Sequence, residues 1–343
     1  MITISLAMIV RNEEKNLAHC LDSVMAAIDE LIIIDTGSTD ATKEIAAHYT
    51  DKIYDFTWID DFSKARNYSF SKATCDYIMW LDADDVIAPK DLAKLQALKE
   101  SIDTQIDAVI IPYNVGFDED GVVVFSYLRE RLLKRERGYT WSEPVHEAIP
   151  LYGKLLKSDI CITHTKATPT DSKRNLNIYR RMIEQGEKLS LRGTLYYARE
   201  LKANGEPEFA AEQFESFLSA NGSWSEDCIR ACCECAQCET ALGKLDKVPL
   251  TLMRSFTYDT PRAEACCLLG EHYKQASRLK DAIFWYELAL SLKCPQGCVF
   301  VLPYYYDYIP CKELSLCYEL SGDKKRSKAY EILANIYKDK HKA

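Results

Sequence analysis

Two groups of carboxylates in the first third of the chain have the spacing of a cation site. Asp35 closes the apolar run LIIID, and Asp82, Asp84 and Asp85 close the run YIMWLDADD. Carboxylates this close repel one another, so they either take up protons or bind a cation. Mg²⁺ or Mn²⁺ suits such oxygen ligands and keeps coordination positions for substrate phosphates. A solvated acidic turn is the alternative interpretation, and the apolar run before each group argues against it.

The elements that must position these carboxylates follow from the hydrophobic pattern of residues 1–113. Short apolar runs alternate with amphipathic segments, which predicts βαβ units and a parallel sheet. The runs are 2–10, 31–35, 52–56, 77–81 and 108–112. Ligands bind beyond the carboxyl ends of parallel strands, so we expect both acidic groups in one crevice. We expect a helix between the first two runs, with Asn12 as its cap.

The rest of the chain has a different periodicity. Residues 121–165 indicate an irregular, strand-rich segment, and we expect a linker around residues 165–172. The sequence beyond it is helical, with a period of roughly 34 to 37 residues that is typical of tetratricopeptide repeats. The clearest copy, LLGEHYKQASRLKDAIFWYELALSL, has small or aromatic residues where two helices interlock: Gly270, Tyr273, Ala282, Tyr286 and Ala289. A plain helical bundle is the alternative.

The predicted fold class is therefore α/β for the first part and all-α for the second. We place a Rossmann-like domain at residues 1–170 and a helical-repeat, TPR-like domain at residues 171–343. A Rossmann-like sheet with acidic strand ends is typical of proteins that bind nucleotides through a metal ion.

Composition excludes several classes of function. The chain has 43 Lys and Arg against 52 Asp and Glu, a formal charge of −9, which argues against a nucleic-acid partner. No apolar run is long enough for a transmembrane segment, and no basic amphipathic helix is evident, which argues against lipid acceptors. Most of the 14 cysteines lie within helical patterns, so we expect buried thiols in the cytoplasm and not zinc sites.

Four segments occur in the order and approximate spacing of family 2 glycosyltransferases with the GT-A fold: MIVRNEE, IIIDTGSTD, DDFSKARN and LDADD. More narrowly, W..DDFSKARN, RERLLK and VHE, followed by helical repeats, resemble the sublancin-type peptide S-glycosyltransferases. The resemblance implies an inverting, metal-dependent transferase that moves a hexose from a UDP-sugar to a peptide or protein acceptor, on Cys or on Ser/Thr. A surface polysaccharide or glycan as acceptor, and a non-catalytic repeat scaffold, are the alternatives. A homodimer formed through the repeats is a further possibility.

The resemblance also assigns residues to the donor. Val10, Asn12 and Glu13 would line the nucleotide base, although the family often has proline and tyrosine where this chain has Val10 and Arg11. Asp35 would accept hydrogen bonds from the base or ribose. Arg66 would lie against the base or the diphosphate.

A second set of residues is assigned to the metal and to the acceptor. Asp82 and Asp84 would form the DxD pair, with Asp84 preferred as the metal ligand and Asp82 facing the ribose or sugar. Glu147 is the candidate general base. His146 or His164 would add a ligand to the metal or the diphosphate, or be structural.

Two arginines of the RERLLK segment complete the set. Arg129 and Arg131 would meet the diphosphate. Alternating charges on a solvated strand would explain them equally well.

Overall fold

The structure is a computed structural model that describes residues 1–117, 123–165, 173–295 and 302–342. The chain divides into two compact units, Met1–Ser172 and Lys173–Ala343. The linker predicted around residues 165–172 lies mostly outside the described residues. No helix of the described ranges is long and apolar enough to cross a membrane.

The first unit alternates strands and helices over most of its length. Its strands are β1 (Ile4–Val10), β2 (Glu30–Asp35), β3 (Ile53–Asp55), β4 (Tyr77–Trp80), β5 (Asp85–Ile87), β6 (Ala108–Phe117), β7 (Val123–Lys134), β8 (Leu155–Lys157) and β9 (Ile162–His164). Its helices are α1 (Leu17–Val24), α2 (Thr42–Ala46), α3 (Phe62–Lys72) and α4 (Pro89–Ser101). The five apolar runs of the sequence therefore correspond to β1, β2, β3, β4 and β6.

The sheet is mixed and not wholly parallel. In the described residues its order is β3-β2-β1-β4-β7-β6-β9-β5, with β8 added beside β6. The four strands β1, β2, β3 and β4 pair with one another in parallel, as predicted. In contrast, β7 is antiparallel to both β4 and β6. Only five residues separate β6 from β7 in the sequence, too few for the crossover connection that parallel pairing needs. Beyond β4 the sheet therefore continues with the long antiparallel pair of β7 and β6.

Side chains of the parallel strands are buried on both faces of the sheet. Ile4, Leu6 and Met8 of β1 pack with α1 and α4 on one face. Ala7 and Ile34 point to the opposite face, where they join the aromatic residues around Trp80. Because both faces are covered, these strands read as continuous apolar runs and not as alternating ones.

Asn12 does not cap α1, contrary to the prediction. α1 begins at Leu17, and Asn12 has a left-handed φ of +57°. The Asn12 Oδ1 accepts a hydrogen bond from the Thr39 backbone N–H at 2.8 Å. Asparagine tolerates this backbone region because its short side chain bonds locally, so here it ties two loops together instead of starting a helix.

The second unit is entirely helical in its described residues. Its helices are α5 (Arg174–Glu184), α6 (Leu191–Ala203), α7 (Pro207–Ser219), α8 (Ser225–Ala241), α9 (Val248–Arg254), α10 (Ala263–Gln275), α11 (Leu279–Ser291), α12 (Tyr308–Leu320) and α13 (Lys324–Lys342). Successive helices pack as pairs: α6 with α7, α10 with α11, and α12 with α13. This is the helix-turn-helix repetition that the sequence period predicts.

Gly270 shows why the clearest repeat copy needs a small residue. A Cβ atom added at Gly270 in α10 would lie 2.8 Å from the ring of Tyr286 in α11. That ring is fully buried, and its hydroxyl donates a hydrogen bond to Glu271 at 3.1 Å. The two helices of this repeat therefore interlock through a glycine and a tyrosine.

Apart from the partly exposed Cys233, the cysteines of α8, α10 and α12 are buried among these helices. Cys235 and Cys238 lie on the inner side of α8. Burial raises the pKa of Cys238 to about 11, so the thiol stays protonated and unreactive at neutral pH.

Candidate active site

The LDADD segment forms a tight turn between β4 and β5. The Asp85 backbone N–H donates to the Asp82 carbonyl at 3.0 Å, and the Asp82 N–H donates to the Asp85 side chain at 3.0 Å. Thr165 holds the turn from the other side, because its N–H donates to the Asp84 carbonyl at 2.7 Å. The backbone is thus fixed, and the side chains of Asp82 and Asp84 are directed by it.

Asp84, Asp85 and His164 form a candidate metal centre. Their ligand atoms all lie within 4.8 Å of one another, and no other such group occurs in the described residues. β5 and β9 pair so that Asp85 stands opposite His164. The His164 Nδ1 is 3.3 Å from Asp84 and 3.6 Å from Asp85.

The charge of this group favours a bound cation. Hydrogen bonds to Asp84 and Asp85 raise the pKa of His164 to about 10, so in the protein alone a proton on the imidazole balances the carboxylates. A divalent ion could take the place of that proton. Two carboxylates and one imidazole suit Mn²⁺ better than Mg²⁺, which binds oxygen ligands almost exclusively.

Arg66 joins the acidic turn to the candidate base. Its Nη2 donates to Asp82 Oδ1 at 2.7 Å, and its Nε donates to Glu147 Oε1 at 2.7 Å. One planar guanidinium can serve two carboxylates because its donors are arranged as a rigid fork. Asp82 and Glu147, far apart in sequence, are therefore held in one site.

Aromatic rings fix the position of Arg66. The guanidinium carbon lies 4.8 Å from the ring centre of Trp80 and 4.9 Å from that of Trp141. The two indoles meet edge to face at 4.8 Å. Cations bind to aromatic faces in this way, and tryptophan does so most strongly.

The DDFSKARN segment forms α3 and anchors the loop that carries Glu147. Asp61 caps the helix by accepting from the Lys64 N–H at 3.0 Å. Asn67 then binds the backbone of Trp141 twice, donating to its carbonyl at 2.9 Å and accepting from its N–H at 2.8 Å. The motif thus supplies both Arg66 and the anchor of the loop.

Electrostatics within this ion-pair chain keep Asp82 ionised. Burial alone would raise the pKa of Asp82, but the charges of Arg66 and Arg131 outweigh it and lower the pKa to about 2. Burial would lower the pKa of Arg66, and the charges of Asp82 and Glu147 raise it instead. Asp82 is therefore ion-paired with Arg66 and lies outside the candidate metal centre of Asp84, Asp85 and His164.

Arg131, which the sequence predicts to meet the diphosphate, lies beneath the site with a buried side chain. Its side chain is 0% exposed, and its Nη1 is 2.9 Å from Asp85 Oδ2. Trp80 and Tyr113 cover the guanidinium at 3.8 and 4.3 Å. Arg131 therefore holds Asp85 in place.

The replacement Arg131→Met should lower the free energy of unfolding by about 3–5 kcal/mol, because it leaves the Asp85 carboxylate buried without its counter-charge. Chemical denaturation followed by tryptophan fluorescence measures the change. Lys134→Met on the same strand is the control, since its partner Glu136 is 68% exposed, and it should cost less than about 1 kcal/mol. Adding Asp85→Asn should recover part of the Arg131→Met loss; equal costs for Arg131→Met and Lys134→Met would contradict this role.

The residues predicted to line the nucleotide lie at the carboxyl ends of β1 and β2. Asp35 is buried, and its carboxylate accepts from the N–H groups of Gly37 and Ser38 at 3.0 Å. Burial raises the pKa of Glu13, and the nearby charges of Asp84 and Asp82 raise it further. Glu13 therefore shares the electrostatic field of the acidic turn. Val10 is buried at the end of β1 and Asn12 is exposed beside it.

The structure brings together only some of the metal ligands that the sequence predicts. Asp84 and His164 meet, whereas Asp82 and His146 stand outside the described cluster. Asp85, which belongs to the predicted acidic group but was not named as a metal ligand, joins the cluster, and its Oδ1 also accepts from the Tyr113 hydroxyl at 2.7 Å. In the sequence, the indication for Asp85 was its position as the third carboxylate of LDADD.

A mixed α/β domain with an acidic turn after β4 has the architecture of a GT-A glycosyltransferase domain. Residues 5–155 match the family described as Glycosyl transferase family 2. Within the first unit, residues 5–155 are therefore a family 2 glycosyltransferase domain.

Curated relatives match parts of the chain. A TPR repeat-containing protein of Synechococcus elongatus is 38% identical over 149 residues, which are 43% of this chain and 36% of that protein. The SPbeta prophage-derived glycosyltransferase SunS of Bacillus subtilis is 26% identical over 230 residues, 63% of this chain and 53% of its own length. The chain thus spans about a third to a half of these relatives.

Among solved structures, glucosyl-3-phosphoglycerate synthase from Mycobacterium tuberculosis, in complex with Mn²⁺ and UDP-glucose, overlaps the chain. The overlap covers 55% of this chain and 81% of that one, at 15% identity and a TM-score of 0.36.

Proposed function

We propose that this protein is an inverting, metal-dependent glycosyltransferase that moves a hexose from a UDP-sugar to the Cys or Ser/Thr side chain of a peptide or protein in the cytoplasm. The observation that carries the proposal is the junction of two groups: the Asp84, Asp85 and His164 cluster, and the Asp82–Arg66–Glu147 ion-pair chain that begins in the same turn. The family of the N-terminal domain supports the reaction class.

The donor would bind beside the acidic turn. Asp84 and His164, with Asp85 behind them, would hold Mn²⁺ or Mg²⁺, which as a Lewis acid would stabilise negative charge on the departing diphosphate. Arg66 adds a fixed positive charge next to Asp82. Val10, Asn12, Glu13 and Asp35, which lie at the carboxyl ends of β1 and β2, are proposed to line the base and the ribose.

The transfer itself needs a base on the acceptor side. In an inverting displacement the acceptor sulfur or oxygen forms a bond to the anomeric carbon while the bond to the diphosphate breaks. The acceptor proton passes to a carboxylate, and Glu147 is the proposed one. Its Oε1 is held by Arg66, which fixes the direction of the whole carboxylate. A thiol acceptor would need little help, because it is partly ionised near neutral pH.

The helical unit is proposed to bind the acceptor. Stacked helix pairs present extended surfaces that suit a peptide chain. The likeness of W..DDFSKARN, RERLLK and VHE to the sublancin-type peptide S-glycosyltransferases supports a peptide acceptor. The boundary proposed for this acceptor domain is residue 171.

A thermal-shift series with UDP-, GDP- and TDP-sugars, each with and without Mn²⁺, tests the donor. A ligand that binds only the folded state raises its melting temperature, so a UDP-sugar should give a rise of several degrees only with the metal. EDTA should remove the effect. The absence of a shift with any nucleotide sugar would favour a non-catalytic scaffold over the proposed enzyme.

A further inference from the structure

The outer face of α13, defined by Lys325, Lys328, Ile332, Ile336 and Lys340, combines exposed apolar and basic side chains. Ile332 is 51% exposed and Ile336 is 57% exposed. These residues recur at three- and four-residue spacing, so they share one side of the helix. Asp339, three residues after Ile336, lies on the same side, and the Lys328 Nζ is 2.7 Å from Glu331 Oε2. The two isoleucines occupy its middle, and lysines stand towards both ends.

The opposite side of α13 packs on the helix before it. Tyr330 stacks on Tyr318 of α12 with ring centres 5.6 Å apart, and Ala334 is buried. The inner side of α13 therefore holds the helix against α12 without any contribution from the outer face. The isoleucines of that face are not needed to hold α13 in the repeat unit.

α13 is basic, whereas the rest of the chain is acidic. Its 19 residues contain seven Lys and Arg but two Asp and Glu, whereas the remainder of the sequence has 36 against 50. α13 is thus a basic helix with an apolar stripe, which the sequence pattern alone did not reveal. An anionic surface would therefore attract this helix, whereas the rest of the sequence carries a net negative charge.

We propose that the outer face of α13 docks on an anionic lipid surface. Lysines around a short apolar stripe can extend their charged ends to phosphate headgroups while the isoleucines enter the acyl boundary. Basic residues near anionic lipids add attraction that falls off within a Debye length.

A second copy of the chain fits this face less well. Apposed α13 faces would bring Lys325, Lys328 and Lys340 of one copy towards the same lysines of the other. Stable interfaces bury roughly 800 Å² on each partner, far more than two half-exposed isoleucines can supply. Interfacial helices reach useful binding from modest apolar area because electrostatic attraction adds to it.

Flotation of the full chain with lipid vesicles tests the proposal. We expect binding to vesicles of equal parts phosphatidylcholine and phosphatidylglycerol, weakening with added salt, and no binding to phosphatidylcholine alone. Ile332→Ser/Ile336→Ser should weaken binding about tenfold or more. Lys325→Glu/Lys328→Glu/Lys340→Glu should abolish it.

A matched control uses exposed apolar residues elsewhere in the helical unit. Leu250 is 71% exposed and Phe284 is 58% exposed, so Leu250→Ser/Phe284→Ser should bind vesicles like the unaltered chain. Failure of the unaltered chain to bind anionic vesicles would overturn the proposal, as would binding that the α13 variants leave unchanged. A dimer in gel filtration that Ile332→Ser/Ile336→Ser dissociates would assign the face to a second copy instead. The assay uses no donor or acceptor, so its outcome is independent of the proposed glycosyl transfer.

Discussion

Asp84→Asn is expected to reduce metal-dependent hydrolysis and transfer of the UDP-sugar by roughly 10³-fold. The side chain of Asp84 faces His164 and belongs to the one cluster in the described residues that offers three ligand atoms. An amide keeps the shape of the carboxylate but not its charge. Loss of the metal removes several kcal/mol of charge stabilisation at the leaving diphosphate, and each 1.4 kcal/mol is about tenfold in rate. Release of UDP at varied Mn²⁺ concentration measures the effect.

The control for this experiment is Asp55→Asn, because Asp55 has a 75% exposed side chain and pairs only at the surface with Lys43. It should keep turnover within a few-fold. Asp84→Asn should also lose the Mn²⁺-dependent thermal shift with the donor while melting normally without ligand. Near-normal turnover of Asp84→Asn would remove Asp84 from the metal site.

The strands that carry the site could be predicted from sequence because burial leaves a direct signal. β1, β2 and β4 are covered on both faces and therefore appear as uninterrupted apolar runs. Their parallel pairing then places Asp35 and the LDADD turn at one edge of the sheet. The strands β6 and β7 were predicted, but the antiparallel pairing of β7 with β4 and β6 was not, because alternating charges such as those in RERLLK do not indicate which strand lies beside β7.

The partners of individual side chains were harder to predict, since sequence periodicity indicates burial but not contact. The alternating charges of its strand suggest that Arg131 is an exposed cation, but its side chain is fully buried against Asp85. The link from Arg66 to Glu147 joins positions 81 residues apart. No spacing rule connects such residues; only the folding of α3 against the loop at Trp141 brings them together.

Glu147→Gln is expected to reduce glycosyl transfer about 10²- to 10⁴-fold, the range in which a general base contributes, while UDP-sugar binding stays within a few-fold. Glutamine has nearly the same shape, and its amide oxygen can still accept from Arg66 Nε, so the ion-pair chain loses charge but not its geometry. Transfer to the acceptor and donor binding are measured separately, the second by Mn²⁺-dependent thermal shift.

Arg66→Lys distinguishes a base from a residue that merely positions Arg66. Lysine keeps the positive charge but lacks the fork that reaches Asp82 and Glu147 at 2.7 Å each, so donor binding and transfer should fall together. If Glu147 acts only by holding Arg66, Glu147→Gln will reproduce that joint loss. If Glu147 is the base, Glu147→Gln will lose transfer with the donor still bound, because the proton of the acceptor then has no carboxylate to receive it.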